Sequence, residues 1–209
     1  MLPRLYVICD AEVCRRLGWL PVEFARACLD GGATFLQIRE KTAGSRPFLA
    51  DASAIVELSS QFGATVVVND RADIARLAAA HGVHVGQDDL PPSAIRAILP
   101  APSVVGLSTH TDDQVTAALL EPIDYLAIGP IFGTITKATG YEPRGLDVVR
   151  RTAARATAHR LPLVAIGGIT LASAPGVIEA GARSVAVISD LLASGDPAAR
   201  VREFLRVLS

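Results

Sequence analysis

Aromatic side chains are scarce in this 209-residue chain, which has one Trp, three Tyr and six Phe. There is no basic excess either: the formal charge is -1, and no Lys/Arg cluster has aromatics interleaved. That argues against base-stacking platforms and phosphate-backbone stripes, so no nucleic-acid partner is expected. Cysteine is limited to Cys9, Cys14 and Cys28, with no CxxC pair and no histidine at zinc-like spacing. Reduced thiols in a cytoplasmic protein are the expectation. No apolar run approaches membrane-spanning length, and the opening MLPRLYVICD is broken by Asp10, so neither a span nor a signal peptide is expected. The partners that remain are small molecules, with a homo-oligomer compatible.

What the chain does have is apolar residues, at 50 %, arranged in short runs. LYVIC, TFLQI, TVVVN, GVHVG, SVVGLS, DYLAIG, PLVAIGG and SVAVIS alternate with helical patterns such as PVEFARACLDGG, PFLADASAIVELSSQ and PAARVREFLRVL. Runs apolar throughout suit strands buried on both faces, as in a parallel sheet. Eight strand–helix units with nothing left over favour a (β/α)8 TIM barrel over an open doubly wound sheet. No linker or low-complexity segment divides the chain, so residues 1–209 read as one barrel domain.

Strand parity adds a second expectation, because side chains two apart share a face. In the last three runs one parity is small: Ala127 and Gly129, Ala165 and Gly167, Ser184 and Ala186. If that parity faces the barrel axis, the adjoining mouth has room for a ligand.

Polar residues gather where the runs end, and in a β/α barrel those ends form the active face. In LQIREK, Gln37, Arg39 and Lys41 share a parity, and cations aimed at a barrel axis are costly unless they meet an anion or water. A phosphate clamp is one reading and a solvated strand end the other. The third run delivers Asn69 and Asp70, the fourth Gly86, Gln87, Asp88 and Asp89. Asp70 with Asp73 resembles a capping box, and Asp89 before Pro91 and Pro92 another cap. Alongside the cations, two carboxylates from separate loops also suit Mg²⁺, which takes one or two protein acids plus phosphates and waters. Ser108 and His110 close the fifth run, whereas His84 lies inside a strand and reads as core. The longest gap, GPIFGTITKATG, offers Thr134, Thr136 and Lys137 to a phosphate, against the alternative of an ordinary polar turn. Gly167, Gly168, Ile188 and Ser189 end the last two runs, where barrels often bind phosphate through backbone and a short extra helix.

Taken in order, LQIREK, VVVND, GVHVGQDD, GLSTH, DYLAIGPIFGTITK, AIGGI and VAVIS resemble the thiamine phosphate synthase family over nearly the whole chain. The resemblance implies a β/α barrel and a Mg²⁺-dependent transferase that joins a pyrimidine pyrophosphate to a thiazole phosphate, plain or carboxylated, releasing pyrophosphate. It implies Asp70 and Asp89 as the metal ligands, and catalytic roles for Arg39, Lys41, Ser108 and Lys137. Gln37, Ile38, Arg39, Glu40, Lys41, Asn69 and Lys137 would hold the pyrimidine pyrophosphate, with Tyr6 and Ser108 beside the ring. Thr134, Ile135, Thr136, Gly168, Ile188 and Ser189 would face the thiazole phosphate. Gly133 departs from the proline common in the family before the TxTK segment. Two alternatives share the fold: a metal-independent thiazole tautomerase using His110, and a non-catalytic thiazole-phosphate-binding regulatory protein.

Overall fold

A computed structural model describes residues 2–133 and 141–209. Eight parallel strands close a barrel in chain order: β1 (Leu5–Asp10), β2 (Phe35–Arg39), β3 (Thr65–Asn69), β4 (Gly82–Val85), β5 (Val104–Thr109), β6 (Tyr125–Ile128), β7 (Leu163–Ile166) and β8 (Ser184–Val187). β8 pairs back onto β1, Leu5 opposite Val185. Each strand is one of the apolar runs, and the two-sided burial that made them uniform is real. Outward-facing Val7, Leu36, Val68, Val83 and Leu126 join the helices in one core, while Tyr6, Ile8, Phe35, Val67 and Tyr125 form a second core inside the barrel.

The outer ring comprises α1 (Ala11–Arg16), α2 (Pro21–Asp30), α3 (Ser45–Ser60), α4 (Ala72–Leu77), α5 (Pro92–Ile98), α6 (Asp112–Ala118), α7 (Gly145–Ala158), α8 (Ala174–Glu179) and α9 (Pro197–Val207). A 3-10 turn, Ser189–Leu192, follows β8 where the short extra helix was expected. The helical patterns recover α2, α3 and α9, but α1 was not anticipated. Its six residues are held by Asp10, whose carboxylate accepts the Val13 N–H at 3.1 Å; such a cap is worth about 1 kcal/mol.

The parity reading needs one correction. Ala127 and Ala186 do face the axis, but in β7 the inward residues are Val164 and Ile166, and Ala165 packs outward among the helices. Small size in that run reflects close helix packing rather than room at the mouth.

The three cysteines are free and buried. No helix among the described residues is long and apolar enough to cross a membrane.

Candidate active site at the barrel mouth

The strand register brings the polar ends together. Asp10 pairs opposite Arg39, Asn69 opposite His84, and Ser108 opposite Ala127. Tyr6, Gln37, Arg39, Asn69, His84 and Ser108 line one cavity of about 50 Å³ above the inner core, with Ile188 on its far wall.

Arg39 does not hang free. Its guanidinium is ion-paired with Asp10, a nearly buried carboxylate that also caps α1. The pair offsets the desolvation of a cation inside the barrel and fixes its aim, since an unpaired buried charge is strongly disfavoured.

Lys41, Asp70 and Asp89 meet from three different loops. The Lys41 ammonium is ion-paired with Asp70. Asp70 adopts a left-handed backbone, φ +61°, and its N–H donates to the His84 carbonyl at 2.8 Å. Asp89 Oδ2 accepts the Gly86 N–H at 2.7 Å. Burial, reinforced by hydrogen-bonding contact with Asp70 and by its charge, pushes the Asp89 carboxyl above its ordinary value, against the pull of the Gly86 N–H and Lys41. Neither acid is a helix cap: the N-cap residues are Arg71 for α4 and Pro91 for α5, and neither helix has a side-chain cap hydrogen bond. Two carboxyls in contact, with one lysine against them, are a donor set that a divalent cation fits. Among the described residues no cluster of three or more metal-ligating side chains exists, so such an ion would complete its shell with phosphate and water, as Mg²⁺ commonly does.

Asn69 carries a further mark. Its Nδ2 is buried with no hydrogen-bond partner, where an unsatisfied donor costs about 1–3 kcal/mol. An acceptor supplied by a ligand in the adjoining cavity would remove that penalty.

Below these groups runs a hydrogen-bonded chain that the sequence did not reveal. Gln37 Nε2 donates to the Tyr6 hydroxyl at 2.6 Å, and the Tyr6 and Tyr125 hydroxyls lie 2.8 Å apart. Tyr125 reaches His84 Nδ1 at 2.8 Å, and His84 Nε2 reaches Ser108 Oγ at 2.8 Å. One assignment that satisfies every member has Gln37 and both phenols donating onward to His84 Nδ1 and His84 Nε2 donating to Ser108, which leaves the Ser108 hydroxyl its own hydrogen for another acceptor. Burial holds both phenols above their ordinary range, hence neutral. The Tyr125 ring fits only because its cross-strand neighbour is Gly106, where a Cβ would collide with the ring.

Other expected positions are arranged differently. The Ile38 side chain packs outward in the helix-facing core. Glu40 turns to its own loop: it pairs with Arg15 and accepts the Thr42 and Ala43 N–H groups at 2.7 and 2.9 Å. Burial alone would raise the Glu40 carboxyl, but Arg15 and those loop donors overcome it and hold it at about 2. Gly167 (φ +103°) and Gly168 (φ +64°) sit under the segment after β6; a Cβ on Gly167 would stand 2.6 Å from Pro130 Cα, and one on Gly168 would strike the Gly133 carbonyl. Their lack of side chains seats that segment, with the Phe132 N–H on the Gly167 carbonyl at 3.0 Å. Ser189 opens the turn after β8. His110 Nδ1 is 2.6 Å from the Gly129 carbonyl, and its ring stacks on Tyr141 with centroids 4.3 Å apart. Thr134, Ile135, Thr136 and Lys137 lie outside the described residues.

A family model described as thiamine monophosphate synthase matches residues 5–191. A thiamine-phosphate synthase of Koribacter versatilis is 45 % identical over 209 residues, covering 99 % of this chain and 96 % of that one. A thiamine-phosphate synthase of Chloroflexus aurantiacus is 38 % identical, covering 99 % and 93 %. Among solved structures, a thiamine phosphate pyrophosphorylase from Pyrococcus furiosus superposes with a TM-score of 0.86 at 32 % identity, covering 98 % of this chain and 95 % of that one. Identity at this level over both full lengths, on a barrel whose polar strand ends converge as the motifs required, makes this chain a member of the thiamine monophosphate synthase family, and a transferase.

Proposed function

We propose that the chain joins a pyrimidine pyrophosphate to a thiazole phosphate at the C-terminal mouth of the barrel, with Mg²⁺ held by Asp70 and Asp89. The observation that carries this assignment of roles is the meeting of Lys41, Asp70 and Asp89 from three separate loops. When bound, Mg²⁺ would neutralise charge on the departing pyrophosphate. The protein's own contribution is positioning and electrostatics. Arg39, fixed by Asp10, and Lys41 face the leaving group and stabilise its negative charge as the bond to the pyrimidine methylene carbon breaks. The Asn69 amide, otherwise unsatisfied, donates to the same substrate. Ser108, supplied with a hydrogen bond from His84, presents its hydroxyl hydrogen to the pyrimidine. The thiazole ring nitrogen then attacks as a neutral nucleophile, so no strong general base is required. Lys137, Thr134, Ile135 and Thr136 are assigned to the phosphates by resemblance, with Gly168, Ile188 and Ser189 beside the thiazole phosphate. Buried, unpaired cysteines suit a cytoplasmic setting.

Mixing the purified chain with both phosphorylated halves tests the reading. Thiamine phosphate is expected with Mg²⁺ and not with EDTA; product formation that ignores EDTA would remove the metal from the mechanism, and no product at all would overturn the coupling.

A further inference from the structure

The opposite end of the barrel holds a second cavity, of about 610 Å³. It is walled by strand starts, namely Phe35 of β2, Val104 of β5 and Tyr125 of β6, and by Arg160 and Arg183, which precede β7 and β8. Small-molecule sites span roughly 300–1,000 Å³ and combine an apolar lining with a few convergent polar groups. A barrel end filled only for stability calls for neither that volume nor two cations on its wall.

Charge decides the class of ligand. The acid on this wall, Asp124, is already engaged: its Oδ2 accepts from Arg96 at 2.7 Å and from the Val105 N–H at 2.7 Å. Arg183 uses Nε on the Leu2 carbonyl at 2.8 Å, and neither it nor Arg160 has an ion-pair partner among the described residues. Two guanidinium groups therefore flank a largely aliphatic floor of Leu2, Val104, Leu161 and Pro162 without a counter-charge. A guanidinium fork matches carboxylate or phosphate oxygens, and the partly exposed apolar floor accepts a flat ring.

We propose that this cavity binds a small organic anion with a flat apolar body, an aryl phosphate or aryl carboxylate, with the anion on Arg160 and Arg183 and the ring against Leu2, Val104, Leu161 and Pro162. The site is remote from the catalytic mouth and independent of the role assignments there.

Calorimetric titration of the full chain with phenyl phosphate and with benzoate tests it, beside inorganic phosphate and neutral benzyl alcohol. At least one aryl anion is expected to bind at one equivalent, more tightly than either control, and to bind equally well to Lys41→Ala, which alters the other mouth. The two aryl anions together show which headgroup is preferred. Arg160→Gly is expected to weaken binding about tenfold. It suits the backbone, because Arg160 already has φ +59°. Thr157→Trp, filling the cavity from α7, is expected to abolish binding, with unchanged melting of each variant confirming the fold. Binding that persists in both cavity variants, that disappears in Lys41→Ala, that is matched by benzyl alcohol or that fails to saturate at millimolar concentration would overturn the proposal; if Thr157→Trp does not fold, Arg160→Gly decides.

Discussion

The Tyr125 hydroxyl lies 2.8 Å from His84 Nδ1 in the barrel interior, although 41 residues separate the two in sequence. Removing that oxygen takes one hydrogen bond each from buried Tyr6 and His84, which keep Gln37 and Ser108 as partners, at a combined cost of about 1–3 kcal/mol. Tyr125→Phe is therefore expected to lower the melting temperature by roughly 2–10 °C. Because His84 also orients Ser108, kcat/KM should fall with it. A melting temperature within a degree of wild type, measured by calorimetry, would mean that the hydrogen-bonded chain contributes nothing.

Asn69→Ala should separate stability from activity. The substitution deletes an unsatisfied buried donor, so melting should not drop by more than about 2 °C, given the small cavity it leaves. Coupling should fall about 10–100-fold, because the donor's expected acceptor is the substrate. Equal losses of stability and activity would point to a purely structural amide.

For Asp89, the informative change is to Asn, which can still accept from the Gly86 N–H but lacks the charge. Coupling at ordinary Mg²⁺ is expected to drop on the order of 100-fold, with a higher Mg²⁺ concentration needed for half-maximal rate. Asp89→Ala should abolish coupling at ordinary Mg²⁺ and leave the circular dichroism spectrum intact. Undiminished product in either variant contradicts the metal role.

Glu40 sets an acid limit. Its folded value, about 2, is below the ordinary 4.5, so the unfolded chain binds more protons between the two. The stabilisation is complete above about pH 4.5 and is lost as pH falls toward 2, by up to roughly 3 kcal/mol. Urea denaturation at pH 7 and pH 3 should show this drop in wild type and a smaller one in Glu40→Gln; parallel drops would show that other carboxylates account for it.

Gly168→Ala combines a strained φ with a collision at the Gly133 carbonyl. A loss of about 2–4 kcal/mol is expected in chemical denaturation, together with reduced coupling as the segment after β6 is displaced. A neutral effect would mean that this segment shifts freely without consequence for the mouth.

The strands were legible because a parallel barrel buries both faces, leaving a predominantly apolar run at each of the eight positions. Strand ends were legible for a related reason: Gln37, Arg39, Asn69 and Asp70 interrupt those runs abruptly. Residue size was a poor guide to facing direction in β7, where Ala165 is small to admit a helix and Val164 turns inward. The acids were ambiguous because Asp at a strand-to-helix junction has the same local signature as a cap, and only the arrival of Lys41 from another loop separates the two. His84 read as core since its partners, Tyr125 and Ser108, are far along the chain. Asp10 stood in plain view at the end of the first run, yet its claim on Arg39 depends on a pairing register that no local pattern encodes.

That double engagement of Asp10 bears on how the protein can be rewired. One carboxylate holds the first turn of α1 and the guanidinium of Arg39 at once, so the joint between β1 and α1 is mechanically tied to the grip proposed for the leaving group. A circular permutant opened at that joint is expected to lose the Asp10–Arg39 ion pair even if the barrel reassembled, whereas one opened in the exposed turn before α9 would keep it.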